Sequence, residues 1–417
     1  MKTMPQLPYY YGTKVRIFPS NSQKRLIKKN SDASRFIYNQ MAGINQELYF
    51  LRQVKIPIKI VQKRIDTLEE RLRNPATGIS NIHGWLNDKE LDSLMKANAI
   101  RNYRSAWSMF YKVHNTGIPV FHKKGIEQKY QTSCMYAGKL PITNMNNGNV
   151  RLLNNRYIHL PKLGNIRFKG MPKKLLSRKE NIRIGTTTVS MDSTGCYYIS
   201  LQLASEQPFV TVLNINNSSP IGIDLNTDNF ITDSDGNTID NPRYYRSIKG
   251  KLAKAQQKLS RRALRAKREH RSLCDSKNYQ EQRKIVATIQ RRVTNCRKNF
   301  LHNVSTTLIK NHDLVVAEEL RSKNMLQNHA LAMSIADVGW KIFLNMLTYK
   351  AELYGQKFIT ISPYNTTQKC SNCAFVMRGN QKLTLADRKW TCPKCCMHHI
   401  RDHNAAKNIL NKGLILN

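Results

Sequence analysis

The sequence predicts a multidomain α+β protein, and three observations carry that assignment. A helical block over residues 21–116 interrupts a run of short β-rich segments. The C-terminal half then alternates apolar strand-like runs with long helical stretches. Near its end, two cysteine pairs, Cys370-Ser371-Asn372-Cys373 and Cys392-Pro393-Lys394-Cys395, are separated by 18 residues. At 417 residues the chain is long enough for two to four domains and a sizeable core.

Lys14-Val15-Arg16-Ile17-Phe18 alternates as a strand does and stops at Pro19. From Asn21 to about Arg52 the apolar marks Leu26, Ile27, Phe36, Ile37, Met41 and Leu48 read as a helix, and residues 56–75 as a charged second one. Over 90–112, Leu91, Leu94, Met95, Ala99, Tyr103, Ala106, Trp107 and Phe110 recur at three- and four-residue steps, a core-facing stripe. From Gly117 the texture changes to short β-rich segments, Val150–Leu153, Tyr157–Leu160, Ile166–Phe168, Ile182–Val189 and Tyr197–Leu203. These form a small antiparallel domain to which the strand at 14–18 belongs, with the helical block inserted. Past Pro208, Phe209–Ile215 and Ile221-Gly222-Ile223-Asp224-Leu225 are strand-like, and Asp235-Gly236 signals a hairpin. Residues 244–311 read as one long helical stretch. Leu314-Val315-Val316-Ala317-Glu318 is a buried strand ending in acids; a helix from about Ser334 to Tyr354 and a strand at Phe358–Ile361 follow.

Lys and Arg number 68 against 27 Asp and Glu, a formal net charge of +41. An excess this large favours a polyanionic partner, nucleic acid above all. No run approaches the ~18 apolar residues of a membrane-spanning helix, and Met1–Phe18 has no apolar signal core. The chain therefore reads as intracellular and not secreted. In a reducing compartment its nine cysteines argue against a disulfide framework. Between Lys249 and Arg271, ten basic residues face one acid, Glu269. Like charges at helical spacing repel, and an anionic partner relieves that repulsion. Lys254, Lys258, Arg261, Arg262 and Arg265 are the candidate phosphate contacts.

Four thiolates in this format can close one tetrahedral Zn²⁺ site, with Cys370, Cys373, Cys392 and either Cys395 or Cys396 as ligands. A redox disulfide is a further option, and His398 and His399 read as surface residues. Three acids stand out by context: Asp224 inside an apolar strand, Glu318 at the end of another, and Asp402 at a helix start. Each alone fits a strand-end acid or an N-cap. Together, in a basic protein, they suggest a site for hard divalent cations. Mg²⁺ suits it, as a pair of ions for phosphodiester chemistry.

The order of these features resembles the TnpB family of transposon-encoded, RNA-guided DNA endonucleases, related to the type V CRISPR effectors. The likeness rests on Gly222-Ile223-Asp224-Leu225, Glu318-Glu319-Leu320, the cysteine array and Arg401-Asp402-x-Asn404-Ala405-Ala406-x-Asn408-Ile409. Arg16–Pro19, Arg35–Asn39, Gly117–Phe121, Leu160–Gly164, Gln257–Arg262 and Ser334–Asp337 match as well. The resemblance implies an RNase H-like (RuvC) nuclease domain with Asp224, Glu318 and Asp402 as catalytic metal ligands, Glu319 being the second choice. It also implies a wedge-type β-barrel domain (1–20 and 117–207), a helical recognition lobe (21–116), a nuclease core (208–361 and 399–417) and a zinc-binding, target-nucleic-acid-binding insert (362–398). The implied partners are a guide RNA from the transposon end and target double-stranded DNA, with the protein a cytoplasmic, nucleoid-associated monomer on its RNA. Pairing would read sequence while the protein reads a short adjacent DNA motif.

The chain departs from the family pattern at four places. Ala374 and Cys396 stand where Gly usually follows each cysteine pair, Asn226 replaces a common Gly after the first acid, and Ile400 a common Asp. Relatives that act as RNA-guided repressors lack the three acids, which are intact here. A CRISPR-associated effector of the same fold would differ only in genomic neighbourhood. A guide-free zinc-finger protein leaves the acids unexplained.

Overall fold

The structure, a computed structural model, describes all residues except 1–2, 55–57, 137–144, 179–180, 212–218, 227, 320–338, 385 and 417. It divides into two compact units, Met1–Phe209 and Val210–Asn417. Leu320, the Ser334–Asp337 stretch and residues 212–215 of the run after Pro208 lie outside the described residues.

In the first unit, β1 (Tyr9–Phe18) turns Thr13, Val15 and Ile17 inward while Lys14, Arg16 and Phe18 stay exposed. Pro19 ends it, and Ser20 caps the next element. The Gln23 amide N–H donates to Ser20 Oγ (3.3 Å), and the Ser20 N–H donates to Gln23 Oε1 (2.9 Å), a reciprocal capping box. That opens α1 (Asn21–Leu51); α2 (Lys59–Arg73), α3 (Pro75–Ile82) and α4 (Ser93–Lys112) follow. The chain then returns through β2 (Gln128–Ser133), β3 (Arg151–Leu152), β4 (Tyr157–Leu160), β5 (Gly164–Lys169), the short α5 (Lys173–Leu176), β6 (Ile182–Met191) and β7 (Tyr197–Ser205). The seven strands form one antiparallel sheet, β2-β6-β7-β1-β5-β4-β3, with β1 paired to both β7 and β5. An isolated bridge between Tyr136 and Gly148 joins the segment after β2 to the one before β3, so the sheet curls back on itself. Helices and sheet share one apolar core, in which Ile27, Ile37, Met41, Met95 and Tyr103 meet Val15, Ile17, Ile158 and Ile199.

In the second unit, β8 (Ile221–Leu225), β9 (Asn229–Asp233) and β10 (Thr238–Asp240) run antiparallel, and β11 (Leu314–Glu318) and β12 (Lys357–Ile361) continue the sheet parallel to β8. The order is β10-β9-β8-β11-β12. Strands buried on both faces read as continuous apolar runs, which is why β8 and β11 stand out in the sequence. Between β10 and β11 lie α6 (Tyr244–Arg268) and α7 (Lys277–Asn311), not the single helix expected. The break has a local cause. His270 takes a left-handed conformation (φ 51°), and the Arg271 amide donates back to Ala266 O (2.9 Å), closing a Schellman-type cap. The chain then doubles back, Gln282 Nε2 donating to Ala255 O at 3.0 Å.

The two faces of this sheet are covered differently. Ile221, Ile223, Val315 and Ala317 pack under α7 and α8 (Trp340–Tyr354). Leu314 and Val316 face the other way, against α9 (Arg401–Leu416). Because side chains alternate, Gly222 and Asp224 on β8, and Val316 and Glu318 on β11, share the α9 face. Helix α9 lies unusually close: a Cβ on Gly222 would sit 2.4 Å from Ala406 O and 2.7 Å from Leu410 N, and one on Gly413 2.4 Å from Val316 Cγ2. Among the described residues, no helix is long and apolar enough to cross a membrane.

This crossing yields a direct expectation. The atoms a Gly222 methyl would meet are helix backbone and cannot step aside. Gly222→Ala should therefore destabilise by about 1–3 kcal/mol, the usual cost of overpacking. Gly250→Ala, on α6 with nothing within 4 Å of its Cβ position, should be neutral or stabilising. Thermal melts of both variants decide it; equal melting points would contradict the close crossing.

Candidate metal centres

The three acids come from β8, β11 and α9. The β8–β11 register pairs Ile221 with Val315, Gly222 with Val316 and Ile223 with Ala317. One further step sets Asp224 beside Glu318. Asp402 lies in the first turn of α9, four residues before the Ala406 that crosses Gly222. Asp224 is 8% exposed. Its pKa is pushed up to about 8, first by burial and then by the charges of Glu318 and Asp402. Burial also raises Glu318, which is opposed by a hydrogen bond from Thr366 and by the charge of Lys412. Glu319 is exposed, and its backbone N–H pairs with Ile361 O across β12 (2.8 Å). Three carboxylates brought together, one of them buried, form a site that a hard divalent cation would relieve.

Of the neighbours of this cluster, Arg388 and Thr366 give no local signal in the sequence. Arg401 Nη2 lies 3.1 Å from Asp402 Oδ1, and Arg388 Nη1 lies 3.5 Å from Asp402 Oδ2. Arg388 also pairs with Asp228. The hydroxyl of Thr366, a residue 2% exposed, donates to Glu318 Oε1. Asn226, in the place of a family glycine, donates to Thr232 Oγ1 (3.2 Å) and accepts from the Asn229 amide (2.9 Å), so it builds the β8–β9 turn itself.

The cysteines form the second centre. The sulfurs of Cys370, Cys373, Cys392 and Cys395 all lie within 4.8 Å of one another. Cys370–Cys395 and Cys373–Cys392 are separated by 3.7 and 3.6 Å. A tetrahedral site with Zn–S bonds of about 2.3 Å has edges of about 3.8 Å, so this donor set fits Zn²⁺. A disulfide, at about 2.05 Å, does not match these separations. Cys396 is exposed and outside the cluster. The two knuckles repeat one pattern. Cys370 N–H donates to Phe375 O (2.8 Å) and Ala374 N–H to Cys370 O (3.0 Å); Cys392 N–H donates to Met397 O and Cys396 N–H to Cys392 O, both 2.9 Å. A hydrogen bond from the Met397 backbone N–H pulls the Cys395 thiol down to about 6, which favours the thiolate a metal needs. His398 is exposed as expected, but His399 is buried. Its ring leans on Trp390 (4.7 Å), and its Nε2 is 3.1 Å from Cys370 Sγ.

On α6, Lys254, Lys258, Arg261 and Arg265 are exposed and Arg262 is half-buried. Two of the five are already engaged within the protein. Arg262 donates to Asn278 O, and Arg265 pairs with Glu269 at 2.9 Å.

Three family models match successive parts of the chain: "Helix-turn-helix domain" over residues 10–53, "Probable transposase" over 212–329 and "Cas12f1-like, TNB domain" over 340–409. In this chain the first of these spans the strand β1 and the single helix α1. A relative from Streptomyces pristinaespiralis, provisionally named an RNA-guided DNA endonuclease, is 37% identical over 55% of this chain. The chain spans about half of that relative's length (53%). A relative from Escherichia coli K12 with the same provisional name is 26% identical, over 96% of this chain and 91% of its own. One from Mycobacterium tuberculosis is 24% identical over 94% and 84%. The fold is similar to that of Cas12f1 in a complex with sgRNA and target DNA, with a TM-score of 0.56 at 14% identity over 97% of this chain and 99% of that one. The similarity establishes a mixed α+β, multidomain architecture.

The knuckles also carry a measurable strain. Ala374 (φ 61°) and Cys396 (φ 55°) are left-handed, a conformation that costs a residue with a Cβ about 1–2 kcal/mol. Ala374→Gly and Cys396→Gly should each raise stability by about 1 kcal/mol once glycine's own entropy is counted, and should slow zinc loss to a chelator. Zinc retention unchanged or weakened in both would show that the strain is absent.

Proposed function

We propose that this chain, a TnpB-like protein related to the type V effectors, is an RNA-guided, Mg²⁺-dependent DNA endonuclease. On this reading it cuts double-stranded DNA matched to a guide RNA from the transposon end, beside a short DNA motif. The observation that carries the reading is the convergence of Asp224, Glu318 and Asp402. Burial, and then the charges of Glu318 and Asp402, push the Asp224 pKa up to about 8. The strand order of the second unit, three antiparallel strands followed by two parallel ones, supports an RNase H-like nuclease core over 208–361 and 399–417. The provisional names of the relatives support the same activity.

When bound, two Mg²⁺ ions would supply an activated water and stabilise the departing oxygen of a phosphodiester. Asp224, Glu318 and Asp402 would hold them. To serve as a ligand Asp224 would have to lose its proton, and Arg388 and Arg401 would compete with a cation for Asp402. Cys370, Cys373, Cys392 and Cys395 would hold one structural Zn²⁺ in the insert over 362–398, and the folding energy such a site contributes would help to keep the insert closed. Lys254, Lys258 and Arg261, exposed on α6, are the side chains best placed for phosphates. The first unit would supply the wedge-type β-domain (1–20 and 117–207) and the helical recognition lobe (21–116).

Asp224→Ala should abolish guided cleavage of plasmid DNA while guide and target binding stay near the parent level. In the parent, the Mg²⁺ concentration for half-maximal cutting should rise as pH falls below about 8, because Asp224 must lose its proton to bind metal. Robust cutting by Asp224→Ala, or by the parent in excess EDTA, would contradict the reading.

A further inference from the structure

Helix α9 carries two stripes. Asp402, Ala406, Ile409 and Gly413 face the sheet. Asn404, Asn408 and Lys412, at successive four-residue steps, hold the backbone stem that leads into the cysteine array. Asn404 Nδ2 donates to Lys369 O (2.8 Å), and Asn404 Oδ1 accepts from the Ser371 amide (2.8 Å). Asn408 Nδ2 donates to Thr366 O (2.9 Å) and Lys369 O (2.6 Å), and Lys412 Nζ to Tyr364 O. The stem over residues 364–371 is thus pinned by the same helix that carries Asp402. Its one side chain on the acid cluster is Thr366, buried at 2% exposure, with its hydroxyl on Glu318 Oε1.

We propose that Thr366 is the positioning residue for Glu318: its hydroxyl, fixed in place by the stem and α9, holds one carboxylate oxygen and leaves the other to a divalent cation. The inference rests on the reading of Glu318 as a metal ligand. A hydroxyl has one proton. Thr366 Oγ1 also lies 3.1 Å from Pro363 O, so that proton has a neutral carbonyl as its alternative acceptor. The charged carboxylate is the stronger acceptor, and a bond to it is worth roughly twice a neutral one. Groups that orient a metal ligand in this way typically change metal affinity by about 10–100-fold when removed. Glu318 ends a strand and is held by backbone pairing only up to its Cα, so its carboxylate needs such a partner. The arrangement also makes the acid cluster and the cysteine stem one unit. Asn408 fixes the Thr366 backbone, and Thr366 fixes Glu318.

The test uses the full chain with its guide RNA and compares Thr366→Val, Thr366→Ser and Glu318→Gln. Mn²⁺ affinity is read by calorimetry and Mg²⁺ dependence by plasmid cleavage. Thr366→Val keeps the shape and loses the donor. It should weaken Mn²⁺ binding and raise the half-saturating Mg²⁺ concentration by about 10–100-fold, with much of the cutting rate recovered at saturating Mg²⁺. Thr366→Ser keeps the hydroxyl and should restore both values to within severalfold of the parent. Coincident titrations for Thr366→Val and the parent, or equal losses in Thr366→Val and Thr366→Ser, would overturn the inference, the second outcome by showing that packing alone matters. Mn²⁺ binding lost in Glu318→Gln but kept in Thr366→Val would overturn only the role of Thr366. Mn²⁺ binding kept in Glu318→Gln would overturn the metal-ligand reading and the inference with it.

Discussion

The second unit depends on the crossing of α9 over β8 and β11. The helix backbone comes so near the sheet that Gly222 and Gly413 leave no room for a Cβ. A glycine inside a helix costs about 1 kcal/mol against alanine, and at Gly413 that cost is offset by the close approach to Val316 it allows. That approach sets Asp402 over the ends of β8 and β11, where Asp224 and Glu318 share the same face. Asn404, Asn408 and Lys412 on the neighbouring stripe then fix the stem of the cysteine array. One helix therefore sets the geometry of both candidate metal centres.

The acid cluster is a local conflict inside a chain of net charge +41. Asp224 sits in an apolar strand, where an ionised carboxylate without a partner is expensive. Within the folded chain the conflict is eased in three ways. Asp224 keeps its proton, Glu318 takes a hydroxyl, and Asp402 takes two arginines. A cation would compete with the proton on Asp224 and with the arginines on Asp402, while Thr366 would stay on one oxygen of Glu318. The cysteine centre differs, because its four sulfurs already stand near tetrahedral spacing and its knuckles hold two non-glycine residues in a left-handed turn.

Much of this was legible in the sequence because it is written locally. Buried strands show as apolar runs, and Asp224 was conspicuous as the acid within one. The paired cysteines announced their cluster by spacing, and the structure brings Cys395, rather than Cys396, to it. What escaped was set by distant contacts or by backbone that residue type does not reveal. Strand β2, Gln-Lys-Tyr-Gln-Thr-Ser, has almost no apolar alternation, because its place is fixed by β6 and by α1, where Ser31 Oγ accepts from the Lys129 amide (2.8 Å). The turn between α6 and α7 has neither Gly nor Pro and rests on a left-handed His270. His399 read as a surface residue because its burial comes from Trp390 and Cys370 across the knuckle. Arg388 and Thr366 reach their acids only once the chain has folded.

The central claim is that Asp224, Glu318 and Asp402 form one divalent-cation site. The most direct measurement is an anomalous difference map from crystals of the full chain soaked in Mn²⁺. The account predicts manganese bound among these three carboxylates in the parent and absent from that position in Asp224→Ala. Manganese bound elsewhere, with Asp402 still paired to Arg388 and Arg401, would contradict it.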